Sequence, residues 1–426
     1  MIRRYRSRVF YGYWIVAAAF GVQLITACLL MQSGGAYVAV LHEERHWSKG
    51  ELSIAFALIQ LVSGLVGPLQ GVVMDRVGPK RVMQIGFVFF GVGFMLLSQV
   101  NSLAAYYAVF VLLALGFAFS GFFPITVALV NWFERKRARV LSTMSLGFAV
   151  GGLLVPLVAY SLEEFGWRET AFVSGVLLMV IGIPLSSVMR RKPEDYGEVP
   201  DGSREPRPPA SVAFEPPPVR DFTAREAIRT PAFWLISLGH GSALLVVGAV
   251  SLHLISHLKE DLSYSVGSAS LIVTLMTSMQ IAGMLIGGAI GDRFDKRLIC
   301  AVCMLMHMGG MLLVAYANAL PMIVAFAALH GLAWGVRGPL MQAIRADYFG
   351  RTSFGVIMGI STTIIMIGQI GGPLFAGFMA DATGSYVTGF TILAVLAGLG
   401  SGFFIFARRP ALPEREATVS TAVEMG

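Results

Sequence analysis

Charge is scarce in this chain. Asp, Glu, Lys and Arg make up 13% of its 426 residues, about half of the roughly 25% found in ordinary soluble domains. The charges present avoid the long apolar runs, and no Asp or Glu lies well within any of them. Cysteine is nearly missing too. Cys28, Cys300 and Cys303 are too few and too apolar in setting for a disulfide framework. The single C-x-x-C has no second pair nearby and reads as small residues packing helices rather than a metal or redox centre. No metal and no cofactor is therefore expected, and no stretch is left over for a soluble enzyme domain.

What the chain does have is apolar length. Hydrophobic residues are 56% of the total and come in runs near 20 residues, the length a helix needs to cross roughly 30 Å of hydrocarbon. Hydropathy places runs near 11–33, 51–73, 82–99, 103–129, 140–160 and 168–189, then near 232–256, 266–290, 298–317, 321–343, 354–379 and 386–407. The first follows a basic leader like a signal peptide's, but it is too long for one and lacks a small-residue cleavage site, so a retained span is expected. Forty-eight glycines would weaken soluble helices, whereas in a bilayer they let backbones approach closely. Between the two sets lies a proline- and charge-rich stretch. The expected division is a six-helix bundle at 1–189, a linker at 190–230, a second bundle at 231–410 and a tail at 411–426. The linker's end, 222–229, could form a short surface helix before Thr230-Pro231.

The net charge of +7 reflects topology rather than a nucleic-acid partner. Arg3, Arg4, Arg6 and Arg8, Arg76, Lys80 and Arg81, Arg135 to Arg139, and Arg293, Lys296 and Arg297 all fall on one side of twelve spans. The other side has only Arg45, Lys49, Arg168 and Lys259. Positive loops stay inside, so both termini are expected in the cytoplasm. An internal repeat accompanies this asymmetry. Asp292 follows Asp75 by 217 positions, Gly331 and Pro339 follow Gly116 and Pro124 by 215, and Gly384 and Phe390 follow Gly166 and Phe172 by 218. Two six-helix halves with parallel repeat symmetry are implied, with a solute site near the midplane between them.

Gly71-Val-Val-Met-Asp75-Arg76-Val-Gly78-Pro-Lys80-Arg81 resembles the loop 2–3 signature of the major facilitator superfamily. The opening Phe10-Tyr-Gly-Tyr-Trp-Ile-Val, the segment Ala227-Ile-Arg-Thr-Pro-Ala-Phe-Trp234 and Ala346-Asp-Tyr-Phe-Gly350 are similar to the bacterial oxalate/formate antiporter-like branch, related to the monocarboxylate transporters. The resemblance implies an all-α membrane protein, no enzyme, placed in the bacterial inner membrane and acting as a monomer. It also implies that Gly71, Asp75, Arg76, Gly78, Lys80 and Arg81, with Asp292 and Arg293 in the second half, form a conformational lock. Asp75 would sit at a helix N-terminus, and Arg76 and Arg81 would pair with acids when that side closes. The plainer reading leaves the basic residues as topology signals. The chain also departs from the branch. The arginine expected in span eight falls near Met284 and the neighbouring acid near Gln280, and span eleven carries no lysine.

One formal charge sits well inside a run, Arg337 in span ten. Placing it there costs about 2.5–3.5 kcal/mol on insertion scales, so it should face a cavity or a partner. A guanidinium fork suits a carboxylate, but carbonyls freed around Gly335, Gly338 and Pro339 could hold it equally, or it could snorkel to the surface. The other candidates for a substrate site are His240, Gln280, Met284, Gln23, Thr26, Gln60, Phe119 and Thr362. Such amides, hydroxyls and imidazoles are costly against lipid, yet any of them could simply join helices. With no acid in the runs and no ATP-binding loop, the expectation is a secondary transporter of a small organic anion, a carboxylate by preference, with protons as a possible co-substrate. An exporter of a larger apolar compound and a transporter-like sensor are the rivals. The topology has a direct test. Cysteines introduced by Glu44→Cys and Lys259→Cys should react with an impermeant reagent from outside intact cells, and one introduced by Arg204→Cys should not.

Overall fold

The computed structural model describes residues 9–47, 49–202, 221–264 and 266–412. The arginines at 3 to 8, Arg204 with the proline-rich middle of the linker, and the tail from 413 lie outside the described residues. Among those described, twelve helices are long and apolar enough to cross a membrane. Spans one to six are Gly12–Val38, Ile54–Val77, Pro79–Leu97, Leu103–Trp132, Arg137–Phe165 and Trp167–Ser187. Spans seven to twelve are Pro231–Glu260, Leu271–Ile290, Lys296–Ala315, Leu320–Phe349, Phe354–Thr383 and Tyr386–Phe406. The largest departure from expectation is at span ten, whose helix continues to Phe349 instead of ending near 343.

Buried side chains form two cores, one drawn chiefly from residues 15–189 and one from 222–407. The outer surface is apolar, as it must be against lipid: Leu65 and Leu69, one turn apart on span two, are 62% and 58% exposed. Since lipid tails are as apolar as leucine, helices associate through close packing of small residues. Spans eight and ten do so through Gly283 and Gly287 against Gly331 and Gly335. A Cβ on Gly287 would lie 2.9 Å from the Val336 backbone, and one on Gly335 would overlap the Gln280 carbonyl. Spans two and eleven, from opposite halves, use Gly67 and Gly71 against Gly355 and Gly359 in the same way.

The repeat has a local physical basis. Gly166 and Gly384, the matched residues before spans six and twelve, hold φ of 84° and 74°, values that side chains with a Cβ resist. Two spans are interrupted. Span one carries a π-turn at Ala27–Met31, and span four breaks at Gly121, just before Pro124. The short helix expected near 222–229 is Ala224–Ile228, closed by a reciprocal cap between Thr223 and Glu226.

The helix ends bearing Arg76, Arg137, Arg139, Arg293 and Lys296 define a basic end of the bundle. Residues 190–202 were expected to belong to an unstructured linker, but they pack on this end. The Arg190 guanidinium stacks 3.5 Å over Tyr11 and 4.1 Å over Tyr196. Asp201 accepts from the backbone N–H groups of Glu134 and Arg135 at 3.0 and 2.8 Å. Charge and aromatic faces here supply the contacts that apolar burial could not. The glycine contacts generate a prediction. Gly335→Val should cost about 1–3 kcal/mol of overpacking and lower the melting temperature. Gly359→Val should instead loosen the contact between halves, seen as increased labelling at the basic end.

Candidate functional site

The basic end is closed by carboxylates that cross between the halves. Asp75, at the end of span two, accepts from the backbone N–H groups of Gly355 and Val356 at the start of span eleven. Asp292, after span eight, accepts from Ala138 N at 2.7 Å and Arg139 N at 3.2 Å at the start of span five. The partners obey the repeat: Gly355 and Val356 follow Ala138 and Arg139 by the same 217 positions that separate the two acids. Each acid satisfies N–H groups that a helix start leaves open and meets the positive end of the helix dipole. Asp347 adds an ion pair to Arg137 across the halves at 2.8 Å and one to Lys296 within its own half at 2.8 Å. Arg351 reaches the Asn131 carbonyl at 3.0 Å and also pairs with Glu134 and Glu194.

Of the expected lock residues, Gly71 allows the approach of span eleven and Gly78, at φ 85°, turns the chain into span three. Arg76, Lys80, Arg81 and Arg293 are exposed. Among the described residues, Arg76 and Arg81 make no ion pair with an acid in this conformation, contrary to expectation. Arg191 occupies that position instead, donating to the Asp75 carbonyl. At the opposite end, contacts such as Trp167 to Glu44 at 2.7 Å and Ser385 to Asp261 at 3.0 Å stay within one half.

Between the halves lies a cavity of about 330 Å³, at the small end of the range for ligand pockets. Spans one, two, four, five, seven, eight, ten and eleven line it. Both halves mix apolar and polar residues. Phe117, Phe122, Phe123 and Phe148 of the first half form an apolar wall, the first three set in place by the break at Gly121, beside Gln23, Ser63, Gln70 and Ser145. In the second half His240, Gln280, Arg337, Gln342 and Thr362 lie among Leu244, Met284, Trp334, Met358 and Ile365.

Six of the nine expected site residues thus meet at this cavity: Arg337, Gln280, Met284, His240, Gln23 and Thr362. Three do not line it. Thr26 uses its hydroxyl on the Val22 and Gln23 carbonyls. Gln60 sits ten residues above Gln70 on span two, about 15 Å along the helix. Phe119 packs against Gly86 of span three.

Arg337 is fully buried, and none of its three guanidinium nitrogens has a hydrogen-bond partner among the described residues. Neither freed carbonyls nor the surface hold it. The Oγ of Ser63 and the Nε2 of Gln70 are also buried without partners, so the unsatisfied groups around the cavity are all capable of donating. Arg345 is a second buried cation, 1% exposed. It donates to the Met341 carbonyl at 2.9 Å and to His240 Nδ1 at 3.1 Å. Sequence reading placed Arg345 beyond the end of span ten and missed it. The i, i+7 spacing of Ser63 and Gln70 was a signal that they share a helix face.

Comparison with known proteins agrees with this architecture. The Major Facilitator Superfamily model matches residues 13–256 and 236–423. The chain is 26% identical to the MFS transporter asaE of Aspergillus flavus over 389 residues, which is 86% of this chain and 79% of that protein. It is 23% identical to Monocarboxylate transporter 12 of Rattus norvegicus over 426 residues, covering 94% and 86% of the two chains. The crystal structure of the human organic anion transporter MFSD10 aligns with a TM-score of 0.71 at 14% identity, covering 92% of this chain and 98% of that one. That likeness is one of fold.

The carboxylate caps generate a prediction with a definite sign. Burial pushes the Asp292 carboxyl above the usual carboxylate range, although the Ala138 and Arg139 N–H groups and the nearby Lys296 and Arg139 charges pull it back. The closed end therefore holds a proton on Asp292 more readily than an opened, hydrated one would, and acidification towards that raised value favours closure. Asp292→Asn, which keeps an acceptor without the charge, should leave the end closed. Asp292→Ala should lose about 0.5–2 kcal/mol of capping and open it. Labelling of a cysteine introduced by Gln342→Cys, approached from the basic end, reports the difference.

Proposed function

The chain belongs to the major facilitator superfamily, and from that premise we propose that it carries a small organic anion, a carboxylate by preference, by alternating access. Its relatives are transporters and not enzymes, and it is a multi-pass membrane protein. The observation that carries the anion reading is Arg337: a guanidinium buried at a cavity between the halves, with no hydrogen-bond partner. A buried charge left unpaired costs several kcal/mol, and among the described residues no carboxylate relieves it. A carboxylate solute would supply two acceptor oxygens in the planar geometry the guanidinium fork prefers. Gln70 and Ser63 would donate to it, and the phenylalanine wall would take its apolar body. The relative bearing a monocarboxylate transporter's name supports the same class.

In this reading both termini are cytoplasmic, the membrane is a bacterial inner membrane and the unit is a monomer with bundles at 1–189 and 231–410. The closed basic end then makes the conformation outward-facing. Asp75 and Asp292 hold the lock, and its release exposes the cavity to the cytoplasm. The four phenylalanines favour a larger apolar solute as the second reading. A thermal-shift titration with organic acids separates the two, because a ligand at 100 times its Kd stabilises the folded state by about 2.7 kcal/mol. Arg337→Lys should weaken binding of the responding acid by keeping the charge but losing the two-point contact. Arg337→Gln should weaken it further, with both variants purifying as folded protein. Equal affinity in all three would remove Arg337 from the site and leave the apolar reading.

A further inference from the structure

Arg337 belongs to two environments. It lines the cavity beside Gly338, where an added Cβ would meet nothing within 4 Å. It also faces a polar seam between spans nine and ten, made of Cys300, Cys303, His307 and His330. All four of these side chains are buried. The seam offers donors and no counter-charge. His307 Nδ1 and His330 Nδ1 lie 3.1 Å apart, so one ring donates and the other accepts on a bare nitrogen. The accepting ring carries its proton on Nε2, an atom that is buried and unpartnered in both histidines among the described residues. The two thiols add weak S–H donors. A second guanidinium, Arg345, also leaves its Nε without a partner among the described residues. No carboxylate is among the charges that act on either arginine, and no Asp or Glu lines the cavity.

We propose that Arg337 holds a chloride ion whenever no organic anion occupies it, and that the solute enters by displacing that ion. A buried charge without a partner costs several kcal/mol, so a small counter-ion lowers the energy of the unloaded protein. The donor set suits a halide. Chloride accepts hydrogen bonds from several directions at once, imposes no planar geometry and brings no donor of its own. It can therefore take N–H groups from the guanidinium together with an imidazole N–H or a thiol. Being monatomic, it needs neither the phenylalanine wall nor an apolar body to fill it. A carboxylate competes for the same guanidinium, so each anion weakens the apparent hold of the site on the other. Displacement rests on the anion reading of the cavity, whereas occupancy by chloride does not. A carrier of an apolar solute would keep the ion rather than exchange it.

The test uses the full-length purified protein in sulfate buffer, with radioactive chloride as the probe. Wild type should bind it saturably, approaching one ion per protein. Arg337→Gln should abolish that binding. Arg337→Lys should weaken it, since an ammonium keeps the charge but loses the spread of donors, and this variant serves if the first fails to fold. Replacing sulfate by chloride at constant ionic strength should raise the melting temperature of wild type more than that of either variant. Phenylacetate and lactate are then titrated at rising chloride. The apparent Kd of whichever acid binds should rise about tenfold when chloride reaches ten times its own Kd. Lack of saturable chloride binding in wild type, or equal binding in wild type and the folded variants, overturns the ion site and leaves the anion reading intact. An acid whose affinity ignores bound chloride overturns the displacement step. If chloride binds at Arg337 and neither acid does, the ion site stands and it is the carboxylate reading that fails.

Discussion

In hydrocarbon, a polar group has only the protein itself for a partner, and most of this structure follows from that constraint. Backbone groups satisfy themselves in twelve helices. The helices then associate through glycines, because nothing apolar is gained by moving leucine from lipid to protein. Thr26, Thr126 and Thr362 return their hydroxyls to carbonyls of the preceding turn. Against so thorough a pairing, the exceptions are informative. Some, such as the Tyr37 and Tyr106 hydroxyls and His307 and His330 Nε2, are scattered through the bundle, but the unpaired donors of Arg337, Ser63 and Gln70 gather at one cavity.

The two carboxylates that close the basic end show how a repeat becomes a device. Because the chain contains the same acid and the same helix start twice, 217 positions apart, each half caps a helix of the other. Closure of this end is thus shared between two equivalent contacts. The flanking basic residues have a different fate. Arg76, Lys80 and Arg81 are exposed, whereas Arg137 and Arg351 make the ionic contacts that span the interface.

The segments that suggested a particular branch of transporters lie away from the cavity. Phe10 and Tyr11 pack on Trp132, Trp234 caps the Ile228 carbonyl, and Asp347 and Tyr348 tie spans nine, ten and twelve at the basic end. These residues pack at the basic end and none of them lines the cavity. That is why the family was legible in short motifs while the solute site was not.

The number of spans, their near boundaries, the two-fold repeat and the rarity of buried charge were determined by the sequence alone. Each depends on local hydropathy or on spacing along the chain, which needs no knowledge of neighbours. Arg337 stood out for the same reason, as a charge in an apolar run. What only the tertiary structure decided is which polar residues converge. Helix rotation turned Thr26 and Phe119 away and brought Ser63, Gln70 and Gln342 in. Span ten runs six residues past its expected end, which turned a nominal loop arginine, Arg345, into a buried partner of His240. Convergence depends on angles and depths accumulated over eight helices from two halves. No local pattern encodes that sum, and so the fold was readable from the chain while the chemistry of its centre waited for the packing.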